Sequence, residues 1–221
     1  MLTAAKSRWF ENLFALYNSN LLRRRFHSFR IKGLPGLTEP DRSKPLILYA
    51  NHTSWWDGLA AFQISRAAHL DAYLMMEERQ LRRYFLFRKL GAFSVVRENP
   101  REAYRTLEYA ADLLYEDPGR CLWIFPQGKI TPAGKRPLGF YKGIGKLVEI
   151  AGDCRVAPVV FRYEFEGEYK PSIYAAVAEC EVFVSGREVT VDAFEKEMED
   201  LLLSLGNDIV SREFAGYRDL I

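Results

Sequence analysis

Leu46-Ile47-Leu48-Tyr49-Ala50-Asn51-His52-Thr53-Ser54-Trp55-Trp56-Asp57-Gly58 runs from an apolar segment straight into a polar one. The five apolar residues read as a buried strand. Gly58 and residues 59–64 read as the start of a helix. His52 and Asp57 therefore sit on a strand-to-helix connection, where α/β folds place chemistry. Imidazole takes up a proton near neutral pH, and a carboxylate on its other nitrogen fixes the tautomer and stabilises the imidazolium. On a continuous helix, five residues would separate the two side chains by about 140°. An irregular loop can instead fold Asp57 back onto the ring. Neither of the other histidines has an acidic residue at this spacing, since Lys32 follows His27 and Leu74 follows His69. The competing reading makes Asp57 a helix cap and His52 an ordinary loop residue.

Working outward, Cys121-Leu122-Trp123-Ile124-Phe125 reads as a second buried strand. It leads into Pro126-Gln127-Gly128-Lys129-Ile130-Thr131-Pro132 and a Gly-, Pro- and Lys-rich loop that extends to Lys142-Gly143. Gly91-Ala92-Phe93-Ser94-Val95-Val96-Arg97 reads as a short strand ending in arginine, and Val156-Ala157-Pro158-Val159-Val160 as a further strand. A loop punctuated by Pro35, Pro40 and Pro45 precedes the first of these strands. Asn99, Pro100 and Glu102 supply the cap, N1 proline and N3 glutamate of a helix that stops at Asp117-Pro118-Gly119. Gly167 marks a turn between two strands. Asp192 and Glu195 are placed to cap a helix with a stripe of Phe194, Met198, Leu201, Leu202 and Leu205. The expected fold is one α/β domain, a mixed and mostly buried sheet flanked by helices, spanning residues 31–221 with a helical segment at 1–30.

Composition suits a globular chain: 221 residues, 48% hydrophobic and 27% charged. No run approaches the ~18 consecutive apolar residues of a spanning helix, and the N-terminus lacks a signal-peptide pattern. Cys121, Cys154 and Cys180 are odd in number and have no CxxC spacing, so neither a metal site nor a disulfide framework is expected. A reducing cytoplasm fits. The net charge of +2 conceals an asymmetry. Residues 1–148 hold 24 Lys+Arg against 13 Asp+Glu, whereas residues 149–221 hold 7 against 16. Between Gly119 and Val148 there are six basic residues and no acidic one, a region able to receive phosphates or anionic headgroups, or simply a solvated loop. No nucleic-acid motif accompanies the charge.

Trp9, Phe10, Leu13, Phe14, Tyr17 and Leu21 recur at helical spacing, with Lys6 and Arg8 before them and Arg23, Arg24, Arg25 and Arg30 after. Aromatic residues on one face with arginines at the ends are the pattern of an interfacial membrane helix, and also of a helix packed on its own core.

Together the four blocks resemble the PlsC-type glycerolipid acyltransferases, the lysophosphatidate (1-acylglycerol-3-phosphate) acyltransferase family. The family's His-x4-Asp corresponds to His52 and Asp57. Its glycine-led strand ending in arginine corresponds to 91–97, its Phe-Pro-Glu-Gly-Thr-Arg block to 125–130, and its Val-Pro strand to 156–160. The resemblance covers roughly residues 27–185. It implies direct acyl transfer from an acyl-CoA or acyl-carrier-protein thioester to a lipid hydroxyl, with His52 as general base oriented by Asp57 and no metal or cofactor. Arg97, Phe125, Pro126, Gln127, Gly128 and Lys129 would then contact substrate, the Gly128 N–H being available to an oxyanion. The expected location is peripheral, on the cytoplasmic face of a membrane. Gln127, Lys129 and Ile130 stand where the family has glutamate, threonine and arginine, which weakens the phosphate grip. Lysophospholipids or glycosylated isoprenoids are therefore alternative acceptors, and a non-catalytic lipid- or carrier-binding protein is the other class. Other chemistries fit poorly. There is no Gly-x-Ser-x-Gly elbow or His-Glu-x-x-His, and Leu147 stands where a phosphate loop needs Ser or Thr.

Overall fold

The computed structural model describes residues 1–38, 43–186 and 190–221, so Pro40 lies outside the described residues. In chain order the elements are α1 (Arg8–Arg25), β1 (Phe29–Lys32), α2 (Pro35–Thr38), β2 (Leu46–Ala50), α3 (Asp57–Ala67), β3 (Asp71–Glu77) and α4 (Glu78–Arg83). A 3₁₀ turn (Phe85–Leu90), β4 (Ala92–Val95), α5 (Pro100–Glu116), β5 (Arg120–Ile124), α6 (Gly143–Ala151) and β6 (Cys154–Glu164) follow. The chain ends with β7 (Ser172–Val177), β8 (Glu181–Phe183), α7 (Val191–Ser211) and β9 (Tyr217–Asp219).

The strands form one mixed sheet in the order β4-β3-β5-β2-β6-β7-β1-β9, with β8 on the edge of β6. From β4 to β6 all neighbours are parallel. The β6–β7, β6–β8 and β1–β9 pairs are antiparallel. Every residue of β2 is buried because the sheet is covered on both faces. The strand's alternation distributes its side chains accordingly. Ile47 and Tyr49 join one core with α5, α6 and α7, while Leu46, Leu48 and Ala50 join the other with α1 and α3.

The connections explain this division. From β2 the chain passes across β5 to β3, with α3 on one face. From β4 to β5, and from β5 to β6, it travels in the opposite direction, with α5 and α6 on the other face. Right-handed crossovers require such a change of face. The neighbours β2 and β5 thus send their helices to opposite sides, which opens a crevice at their carboxyl ends.

Asn99 caps α5 as its sequence predicts, its Oδ1 accepting from the backbone N–H groups of Arg101 and Glu102. Gly91 turns into β4 at φ +94°, where a Cβ would lie 2.8 Å from the Ala72 carbonyl oxygen. Two expectations change. The N-cap of α7 is Thr190 rather than Asp192, and Glu195 instead accepts from the N–H groups of Gly139 and Phe140. Nor is the segment 1–30 an appendage. Leu2 and Ser94 exchange two hydrogen bonds, Lys6 Nζ lies 2.5 Å from Asp71 Oδ1, and Leu22 and Phe26 are core residues. A boundary at residue 30 would cut through β1, which pairs with both β7 and β9. Helical periodicity identified α1 but carried no information about these long-range bonds.

Candidate active site

His52 and Asp57 lie between β2 and the first turn of α3. Asp57 is fully buried, with its Oδ2 2.8 Å from His52 Nδ1. The same oxygen accepts from the N–H groups of Thr53 and Ser54, each at 2.8 Å. These donors precede the helix, so the carboxylate folds the loop back onto the ring instead of capping the helix. The residue itself opens the first turn of α3. Its second oxygen, Oδ1, accepts from the Tyr163 hydroxyl at 2.6 Å. Burial, then the adjacent Asp57 charge, pushes the Tyr163 hydroxyl well above its ordinary pKa, so it remains a donor. Sequence reasoning missed Tyr163. It stands in β6, more than a hundred residues from Asp57, with no local signal.

Below His52 lies Phe125, its ring stacked at 4.5 Å. Gln127 departs from expectation. It is 2% exposed and spans two loops, accepting from the His52 N–H at 2.5 Å through Oε1 and donating to the Thr131 hydroxyl through Nε2. Thr131 in turn donates its N–H to the His52 carbonyl. Gln127 is thus a brace, with its amide turned inward, and not a group on the cavity wall. The Gly128 N–H is also committed, donating to the Phe125 carbonyl at 2.9 Å. It is therefore not an oxyanion donor in this conformation. Gly128 itself sits at φ +64°, where a Cβ would lie 2.7 Å from Arg97 Nη1 and 2.9 Å from the Tyr141 ring, so glycine allows both to close over the loop.

His52, Arg97, Phe125, Pro126, Gly128 and Lys129 line one cavity of about 670 Å³. Its mouth is cationic and its interior apolar, walled by Phe14, Leu59, Phe62, Leu74 and Phe87. Arg97 lies two residues beyond β4, 3.5 Å from Glu77. Its buried Nε has no hydrogen-bond partner among the described residues, an unmet donor beside the mouth. The far end is set by antiparallel packing of α1 on α3, with Asn18 at Leu59 and Asn12 at Arg66. Glu11 and Ser65 line that end, about 12 Å along α3 from Asp57.

The arrangement joins a buried, multiply hydrogen-bonded carboxylate, a partly exposed imidazole, a cationic rim and an apolar chamber. Its chemistry suits removing a proton from a hydroxyl at the edge of a site with room for a hydrocarbon chain and an anion. No curated protein matches the chain in sequence. In fold it is similar to the crystal structure of the 1-acyl-sn-glycerophosphate (LPA) acyltransferase, PlsC, from Thermotoga maritima. The TM-score is 0.65 over 89% of this chain and 78% of that one, at 16% identity. The acyltransferase family profile matches residues 28–162, more than half of the chain and every strand that frames the crevice. The chain belongs to the acyltransferase family.

Proposed function

We propose that the protein moves a fatty acyl group from an acyl-CoA or acyl-carrier-protein thioester to the hydroxyl of lysophosphatidate or a related lipid, working peripherally at the cytoplasmic face of a membrane. The observation that carries this reading is the His52–Asp57 pair at the cationic mouth of an apolar cavity. His52 Nδ1 faces Asp57, so Nε2 is the nitrogen left to take the acceptor's proton. The acceptor oxygen bonds to the thioester carbonyl carbon. As the carbon–sulfur bond breaks, the imidazolium returns the proton to the leaving thiolate. Asp57 stabilises the imidazolium between these steps. The acyl chain lies in the apolar chamber, and Arg97 and Lys129 hold the anionic part of acceptor or donor.

Purified protein incubated with labelled acyl-CoA or acyl-carrier protein and a panel of lysolipids tests this reading. Transfer to a lysolipid that disappears in His52→Ala is expected. No transfer from either donor to any acceptor, or equal transfer by His52→Ala, would overturn it.

A further inference from the structure

Arg79-Gln80-Leu81-Arg82-Arg83-Tyr84-Phe85-Leu86-Phe87-Arg88-Lys89-Leu90 has five cations and no carboxylate. It covers most of α4 and the 3₁₀ turn. Phe85 is 54% and Leu86 52% exposed, two large apolar side chains at the tip of a turn. Their neighbour Phe87 faces inward, lining the cavity, with its ring 6.0 Å from Phe14 and 5.7 Å from Tyr84. Tyr84 in turn is 6.2 Å from Trp55, a half-exposed residue of the catalytic loop.

The exposed apolar surface continues onto α1. Phe10 and Tyr17 lie 6.4 and 5.7 Å from Phe14. At about 100° per residue, Leu13, Trp9 and Leu16 come next around the same side of the helix, and all three are exposed. Backbone bonds fix α1 to the turn, from the Ala5 N–H to the Arg88 carbonyl and from the Ser7 N–H to the Lys89 carbonyl. Lys89 Nζ sits 5.4 Å over the Phe10 ring. Arg79, Arg83 and Lys89 are all exposed around this surface. A patch of Trp, Tyr, Phe and Leu this size is unusual on a soluble face. Interleaved with exposed cations, it matches a bilayer that carries anionic headgroups.

We infer that the Phe85–Leu86 turn is a second membrane-insertion point. With the exposed stripe of α1 it docks the outer side of the Phe14–Phe87 cavity wall, and the adjoining Trp55 of the catalytic loop, against an anionic bilayer, so that a lipid-borne substrate meets the site at the bilayer surface. What enters the cavity rests on the acyltransferase reading; the docking itself does not.

The test uses the full chain with phosphatidylglycerol-containing vesicles and with vesicles of phosphatidylcholine alone. The double variant Phe85→Ser/Leu86→Ser changes only exposed side chains outside the cavity wall, and circular dichroism checks that it folds. We expect it to bind anionic vesicles about tenfold or more weakly than the parent, from the lost apolar insertion. Added salt should weaken the parent's binding. Turnover of short-chain, water-soluble substrates should be unchanged. Trp9→Ser/Leu13→Ser should lose binding comparably. Parent protein that ignores anionic vesicles, or a double variant that binds them equally well, overturns the inference. So does a parent dimer that the double variant dissociates without change in vesicle binding, since a second copy would then be the occupant. Vesicle binding is read without turnover, so a failure of the proposed reaction leaves this result interpretable.

Discussion

Tyr163→Phe removes one oxygen from the candidate site and leaves the ring in place. In the parent that oxygen donates to Asp57 Oδ1 at 2.6 Å, while Asp57 Oδ2 serves His52, Thr53 and Ser54. The Tyr163 ring packs 6.0 Å from Phe26, a contact that phenylalanine keeps. The lost bond is charge-assisted and buried, so it should cost about 1.5–3 kcal/mol of stability. For a chain of 221 residues with an unfolding entropy of roughly 2.1 cal/mol/K per residue, Tm should fall by roughly 3–6 °C. The effect on rate is separate. With Oδ1 unpaired, the carboxylate can rotate toward other donors, and its alignment on His52 Nδ1 loosens. A loss of about 1.4 kcal/mol at the transition state lowers kcat about tenfold, with KM little changed. Thermal melts and steady-state acyl transfer measure the two quantities on the same preparation. In an Asp57→Asn background the rate cost of Tyr163→Phe should largely vanish, because the carboxylate it orients is gone. Parental kcat in a folded Tyr163→Phe would refute the positioning argument and leave the tyrosine as a packing residue.

His52→Ala should lower kcat by ~10²–10⁴-fold in a protein that still folds, because the ring sits partly exposed on a loop, although Tm should fall as it does for Tyr163→Phe, since this variant too removes a hydrogen bond to buried Asp57; Asp57→Asn should be comparably severe in kcat. Gln127→Glu should leave the ratio of kcat/KM for lysophosphatidate to that for a neutral lysolipid unchanged, since its amide does not reach the cavity. Ile130→Arg, at the exposed mouth, should raise that ratio about tenfold through one added charge-assisted contact; the reverse pattern would refute the placement of both residues. Burial raises the Glu197 carboxyl above its ordinary value of 4.5, opposed by the Tyr49 hydrogen bond and assisted by Glu181. A raised carboxylate favours the fold fully below its unfolded value and loses that contribution as pH rises through the folded value. Glu197→Gln should therefore gain Tm relative to the parent as pH rises above 4.5, a trend that melts across a pH series would detect. Glu11→Leu removes a carboxylate from the far end of an otherwise apolar chamber and should favour longer acyl donors in a chain-length series.

The parts of the fold legible in the sequence are those whose causes are local. β2 and β5 are short apolar runs bounded by polar turns, and the cap of α5 lies within four consecutive residues. His52 and Asp57 were legible for the same reason, because only four residues separate them. What stayed hidden depended on contacts across the chain. Tyr163 reaches Asp57 only because β6 lies beside β2. Gln127 could face either way by sequence, and only the packing of 127–131 on 51–52 turns its amide inward. β8 and β9 are three residues each, too short to show a period.

The charge asymmetry shows both limits at once. By sequence the basic stretch from Gly119 to Val148 reads as a surface for anions or a solvated loop, and nothing in it assigns the acidic C-terminal part a role. The structure connects them through the backbone. Glu199 accepts from the Leu138 N–H, and Glu195 accepts from the N–H groups of Gly139 and Phe140. At the loop's other end, Gln127 and Thr131 tie it to His52. Carboxylates from α7 thus hold the peptide, while Lys129, Lys135 and Lys142 form no ion pair among the described residues. Because the loop is fixed through its backbone, its lysines need not be neutralised to keep it in place. The same clamp sets the path of Tyr141 over Gly128, beside Arg97 at the cavity mouth. Much of the negative charge in the last third of the chain is therefore spent within the molecule, and of the lysines it leaves unmatched, Lys129 and Lys142 stand at the site.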